Sequence, residues 1–449
     1  LRTRATALAG LIALAATTLI GSTSASASAS ASASASASAG TASWVGSWST
    51  AVTGAATAPQ PETVFQDQTL RQIVHLSVGG NSVRVKLSNE YGDQPLVIGE
   101  ARVARRPDGA AGSQITTGTD RRLTFGGRSA FTVPAGSPVL SDPVSLPVPA
   151  LGDLVVSIYL PGRTPAATVH NTALQTNYVA AGNVTRSGEL SAATETTSWY
   201  FLSGVSVAGA PKAGTVVALG DSITDGSITA VNANHRWPDF LARRLHANAS
   251  LRQLGVLNKG IGGNRLLYDG NVLSDTPIPG FGPLFGDSAL ARFDRDVTAQ
   301  PGARYLIVLL GINDIGQPGS IAPPSEAVTV DDLIYGYRQL IARAHERGLR
   351  VFGATMTPFQ DATIPGYYSA ENEAKRRAAN RWIRTSGEWD GVIDFDRAVR
   401  DPNQPLRMLP AYDSGDHLHP NDAGMRAMAD AIKLSLFHTA QPAQLAQAS

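Results

Sequence analysis

The stretch "TVVALGDSITDG", Thr215–Gly226, decides how the fold is read. An unbroken apolar run stops at Gly220 and passes at once into Asp221 and Ser222. A short continuous apolar run reads as a strand covered on both faces, as in a parallel sheet. The glycine permits a sharp turn, and Asp and Ser are residues that start helices. Four later runs repeat the form: "GVLNKG" (255–260), "RYLIVLLG" (304–311), "LRVFGATM" (349–356) and "GVIDF" (391–395). Helical patterns lie between them, the clearest being "DDLIYGYRQLIARAHERG" (331–348). There Leu333, Tyr337, Leu340, Ile341 and Ala344 form one stripe. Asp331 and Asp332 fall in the first turn and Gly348 follows the end. The alternation predicts an α/β domain with a doubly wound parallel sheet over residues 211–438.

Upstream the pattern is different. "TLRQIVHLSV" (69–78) and "SVRVKLS" (82–88) flank Gly79-Gly80-Asn81. Val74, Leu76 and Val78 alternate with polar residues, as do Val83, Val85 and Leu87, which predicts a half-buried hairpin. "DLVVSIYLPG" (153–162) and "SWYFLSGVSV" (198–207) add strands, and no helical period is visible. Residues 44–210 are therefore expected to form an all-β, sandwich-like domain, with the boundary near Ala208–Gly214. Trp44, Trp48, Trp199 and Tyr200 are expected in its core, although exposed they could stack on sugars.

Residues 1–43 read as an export signal and linker. Arg2 and Arg4 precede an apolar stretch, Ala5–Ile20, and a Ser-Ala tract follows to Gly40. The expectation is a secreted, extracellular protein with no transmembrane anchor; residues 439–449 read as a tail. The formal net charge is +1, with no basic stripe to suggest a nucleic-acid partner. The chain has no cysteine, which excludes disulfides, thiolate metal sites and a thiol nucleophile.

In an open α/β sheet, ligands bind beyond the carboxyl ends of the strands. Gly220-Asp221-Ser222 follows the first. A hydroxyl there lies near helix N-terminal amides, which favour developing negative charge; alternatively Ser222 or Asp221 simply caps the helix. "NKGIGGNR" (258–265) follows the second, and its glycines either let a backbone N–H approach a nucleophile or make a plain turn. "GIND" (311–314) follows the third. Asn313 could donate to an oxyanion, Asp314 could fix the loop, or both could be turn formers. "DSGDHLHPNDAG" (413–424) precedes a helix with Met425, Met428, Ile432 and Leu436 on one face. Asp416 and His419, three apart, could bond carboxylate to imidazole and orient the ring toward Ser222. The other readings are a metal site of Asp416, His417 and His419, or bland loop histidines.

These blocks together resemble the GDSL family, also called SGNH hydrolases. "GDSITDG", "GIGGN", "GIND" and "DHLHP" are similar to its four blocks and stand in the family's order, over roughly Thr215–Phe437. Ile223 replaces the leucine of the family name. The resemblance implies a flavodoxin-like sheet and a serine esterase or lipase that hydrolyses carboxylic esters without cofactor or metal. It implies Ser222 as nucleophile, His419 as general base and Asp416 as its orienting partner. The oxyanion hole it implies is the N–H of Ser222, the N–H of Gly263 and the Asn313 side chain, with Gly262 as the alternative to Gly263. The substrate would be a small-molecule or lipid ester, or an acylated polysaccharide if the β domain binds glycans and the α/β domain deacetylates them. Residues 266–287, with Tyr268, Phe281 and Phe285, and residues 357–369 are candidate pocket walls.

Overall fold

The computed structural model describes residues 43–209, 213–270 and 277–438. The expected signal and Ser-Ala tract, the centre of the 208–214 junction, part of the 266–287 loop and the tail lie outside the described residues.

The first part is antiparallel throughout. Its main strands are β1 (Trp44–Ser49), β2 (Gln68–His75), β3 (Gly80–Ser88), β4 (Glu100–Arg105), β5 (Asp153–Leu160), β6 (Asn177–Ala181) and β7 (Leu202–Ala208). One sheet runs β1-β7-β3, with Pro138–Leu140 and Val144–Val148 paired to β3; the other carries β6-β2-β5-β4 at its centre. Leu70, Val74, Leu154, Val156 and Ile158 of the second sheet share a core with Val83, Val85, Leu87, Val205 and Val207 of the first. This is the expected β-sandwich.

The expected 69–88 hairpin is corrected. β2 pairs with β5 and β6, whereas β3 pairs with β7, so the two strands lie in opposite sheets. The connection crosses between sheets, and Leu76 and Ser77 spend their backbone donors on Gly152 and Ser47. Alternation reports that one face of each strand is apolar; it does not report which strand lies alongside. Nor is β2 half-buried. Its second face holds Arg71 and Ile73, covered by residues 113 and 184–190, with the Arg71 guanidinium bonded to the carbonyls of Ser113, Thr185 and Ser187. The 198–207 run is two strands, because Phe201 breaks it at φ 58°. Trp48 and Trp199 meet edge to face at 4.9 Å inside the sandwich and present no sugar platform.

The second part is a parallel sheet. Its strands are β8 (Gly214–Gly220), β9 (Leu254–Gly260), β10 (Ala303–Leu309), β11 (Arg350–Ala354) and β12 (Gly391–Ile393), in spatial order β9-β8-β10-β11-β12. That is the flavodoxin-like order, with its switch point between β8 and β10. β8 is buried along its whole length, as its continuous apolar run requires. The longer helices between strands are α1 (Trp237–Ala247), α2 (Val330–Glu346) and α3 (Ala370–Thr385), and α4 (Asp422–Ala431) closes the domain. α1 packs on α4 and α2 on α3. The predicted stripe on α2 is buried, and Thr329 and Asp332 cap its start reciprocally. α4 stops at Ala431, earlier than its apolar pattern suggested. Ile432 turns out of the helix at ψ 114°, and Leu436 sits in a separate 3-10 turn.

The sandwich and the parallel sheet belong to one packed unit. β9 is an edge strand of the sheet, and an uncovered edge offers unpaired backbone donors. Here β1 lies against it. The Val256 N–H donates to Ser77 Oγ at 2.9 Å, and the buried Lys259 ammonium donates to the Thr50 carbonyl at 2.7 Å. Gly46 and Gly255 allow this approach: a Cβ on Gly255 would lie 2.0 Å from the Gly46 carbonyl oxygen.

Candidate active site

At the carboxyl end of β8 the chain makes one helical turn, Ser222–Asp225. Asp221, not Ser222, caps it: Asp221 Oδ1 accepts from the Ile223 N–H at 3.0 Å. The Ser222 hydroxyl is thereby left for a different partner, His419 Nε2, at 2.8 Å. The opposite ring nitrogen, Nδ1, lies 2.6 Å from Asp416 Oδ2.

The loop before α4 builds this arrangement from its own backbone. Asp416 Oδ1 accepts from the N–H groups of Leu418 and His419 and from Ser414 Oγ. Partial burial alone would raise the Asp416 carboxyl, but His419 and those two N–H groups outweigh it and hold it far below the usual range. An ionised carboxylate only accepts, so Nδ1 carries the ring proton and Nε2 is free to accept from Ser222. His417 turns away to Asp413, 2.6 Å from Nδ1 to Oδ2. The three residues weighed as metal ligands therefore do not converge, and the described residues contain no group of three or more such side chains around one point.

The two candidate glycines, Gly262 and Gly263, differ in what their positions demand. Residues 261–264 form a β-turn closed by Asn264 N–H to the Ile261 carbonyl, with Gly263 at φ 75°. That is the third position of a type II turn, where glycine is favoured. A Cβ on Gly263 would also strike the Phe285 ring at 2.5 Å, whereas one on Gly262 would meet open space. The N–H groups of Ser222 and Gly263 bond to none of the described residues. Asn313, buried in the turn after β10, donates one amide hydrogen to the Asn264 carbonyl at 2.9 Å and keeps the other. Asp314 fixes the chain beyond the glycines by accepting from Leu266 and Leu267.

Two organising residues had escaped the sequence reading. Arg292 is 1 % exposed, and its five donors are all used: Gly220 and Lys259 carbonyls, Asn264 Oδ1 twice, and Asp296. It ties the ends of β8 and β9 to the glycine turn. Its signal was an arginine next to the apolar positions Ala289, Phe293 and Val297. Tyr367, which was read as part of a pocket wall, is fully buried and donates to Asn313 Oδ1 at 2.7 Å. Burial, with the charges of Asp221 and Asp314 behind it, keeps its hydroxyl protonated and so fixes which way the Asn313 amide points. Tyr268 and Phe281 remain as the exposed aromatics of the 266–287 loop.

Asp221 gives a pH prediction. Its Oδ2 is buried without a hydrogen-bond partner, and burial pushes the carboxyl up to about 7 from 3.8. The unfolded chain releases this proton first, so stability falls as pH rises through that window and stays lower above it. Asp221→Asn keeps the acceptor for Ile223 without the charge. Urea unfolding should show parent and variant alike at pH 4, with the variant more stable at pH 8 by up to about 4 kcal/mol. Equal stability at both pH values would refute the assignment.

Residues 218–427 match the profile of the GDSL-like Lipase/Acylhydrolase family. No curated protein matches the chain. Among solved structures the chain is similar to a GDSL-like lipase of Bacteroides thetaiotaomicron, at 18% identity and TM-score 0.34, covering 50% of this chain and 88% of that one. It is similar to the aryl esterase of M. smegmatis at 16% identity and TM-score 0.36, covering 49% and 96%. It is also similar to Est24, a carbohydrate acetylesterase from Sinorhizobium meliloti, at 14% identity and TM-score 0.36, covering 49% and 95%.

Proposed function

Residues 218–427 form a domain of the GDSL-like lipase/acylhydrolase family, and from that premise we propose that the protein is an exported serine esterase acting on carboxylic esters through Ser222, His419 and Asp416. The observation that carries this reading is the unbroken hydrogen-bond series from Ser222 Oγ through the imidazole to Asp416. A serine hydroxyl is a weak nucleophile until a base takes its proton.

In the first step Ser222 Oγ attacks the ester carbonyl carbon and its proton passes to His419 Nε2. Asp416 keeps the ring in place and stabilises the imidazolium that forms. Negative charge gathers on the carbonyl oxygen, where the N–H groups of Ser222 and Gly263 and the free Asn313 amide hydrogen receive it. The intermediate collapses, the ester C–O bond breaks, and the alcohol leaves with the proton from Nε2. Water then attacks the acyl-enzyme, giving its proton to Nε2, and the acid is released as Ser222 Oγ regains a proton. Each role is met by a group of this chain.

Export is supported by the apolar segment and Ser-Ala tract ahead of the sandwich. A panel of 4-nitrophenyl acetate, butyrate and long-chain esters, with feruloyl esters and acetylated glycans, tests the function and ranks the substrates. We expect turnover of simple aryl esters, unchanged by a chelator. No turnover of any ester, or turnover lost to chelator and restored by a metal, would contradict the reading.

A further inference from the structure

The sandwich places a buried histidine against the turn that carries the nucleophile, and the mechanism above does not use it. His170 ends the strand Thr168–His170 and is 2 % exposed. Its Nδ1 lies 2.8 Å from the Ala51 carbonyl and its Nε2 lies 3.0 Å from Asp225 Oδ1. Asp225 is the last residue of the Ser222–Asp225 turn and is itself 3 % exposed. A carbonyl only accepts, so Nδ1 carries a hydrogen. The opposite nitrogen, Nε2, is thereby directed at the Asp225 carboxyl. Among the described residues no other side chain bonds the Asp225 carboxylate, and its Oδ2 has no partner.

The turn is four residues long; beyond the Asp221 cap it is closed by the Thr224 and Asp225 N–H groups on the Asp221 carbonyl and the Gly226 and Ser227 N–H groups on the Ser222 carbonyl. From the α/β part, Asn258 donates to the Thr224 carbonyl at 2.7 Å, Trp237 Nε1 to the Thr224 hydroxyl at 3.4 Å, and Arg236 Nε to the Asp225 carbonyl at 2.9 Å, so none of these contacts reaches the Asp225 carboxylate. Arg236 also reaches back to the Ala173 carbonyl of the sandwich. Trp199 lies beside His170, with ring centroids 5.6 Å apart, and restricts the imidazole.

We propose that His170 is a positioning residue for ester hydrolysis: by holding Asp225 it sets where the turn presents Ser222 Oγ to His419. The sandwich is then a structural part of the active site. The inference rests on Ser222 being the nucleophile.

The two nitrogens of His170 allow a discriminating test on the full chain. Gln at 170 can present its amide nitrogen near the place of Nε2, and Asn near that of Nδ1. Simple support of the sandwich at Ala51 predicts that Asn is the tolerated replacement. Positioning through Asp225 predicts that Gln is. We expect His170→Asn and Asp225→Ala each to lower kcat by about 10²-fold with KM changed by less than about threefold, since small misplacements far from the reacting atoms are costly. His170→Gln should keep kcat within about fivefold of the parent, and His170→Asn/Asp225→Ala should be no worse than either single change. Asp225→Ala approaches the contact from the other side, so the test does not depend on one variant folding. Parent-like kcat in both single variants, Asn tolerated better than Gln, or additive losses would overturn the proposal. Ser222→Ala separates the two failures. If it still turns over, the nucleophile assignment falls; if it is inactive while the 170 and 225 variants are normal, only the positioning role falls.

Discussion

Ser222→Ala is expected to lower kcat for 4-nitrophenyl acetate by on the order of 10⁵–10⁶-fold, leaving the fold intact. The side chain is small, 8 % exposed, and bonded through its hydroxyl to His419. Asp221 caps the turn, so losing the Ser222 hydroxyl removes no cap. The melting temperature should therefore stay within about 3 °C of the parent, as for a change of about 1 kcal/mol or less. Residual hydrolysis would come from binding and the oxyanion donors alone. Retained turnover in the purified variant would remove Ser222 from the mechanism.

His419→Ala is expected to produce a loss of the same order, because a nucleophile and its base fail as a unit. The double variant Ser222→Ala/His419→Ala should be no slower than either single one. The two changes differ in what they leave behind. Without His419, Asp416 loses the partner that does most to hold its carboxyl low, but it keeps the N–H groups of Leu418 and residue 419 and the Ser414 hydroxyl. The loop should keep its shape, and the loss should appear in kcat rather than KM. A His419→Ala variant with kcat within about tenfold of the parent would contradict a histidine base.

The parallel sheet was legible because its strands are continuous apolar runs that end in glycine or polar turns, and that punctuation survives folding. Ser222, Asn313, Asp416 and His419 were legible for the same reason: each stands just after a strand or in the last loop, where ligands bind in this architecture. The sandwich was legible as strands but not as pairings. Alternation in 69–88 is equally satisfied by a hairpin and by two strands in facing sheets, and the choice is made by β5 and β7, whose paired residues lie 78 or more positions further on. The supporting residues were hidden for a related reason. Arg292 reaches Gly220 across 72 positions, Tyr367 reaches Asn313 across 54 and His170 reaches Asp225 across 55. A buried polar side chain is visible in sequence only as an interruption of an apolar pattern; its partners are set by the tertiary fold. Trp48 and Trp199 were placed correctly because large aromatics in a strand-rich region are usually core.

The most direct test of the account is to treat the full chain with a fluorophosphonate, which captures an activated serine, and to map the adduct by peptide mass spectrometry. The account predicts one adduct per chain, on Ser222, formed in step with loss of esterase activity and absent in the His419→Ala variant. An adduct on another serine that tracks the loss of activity, or full esterase activity in a chain fully labelled at Ser222, would contradict it.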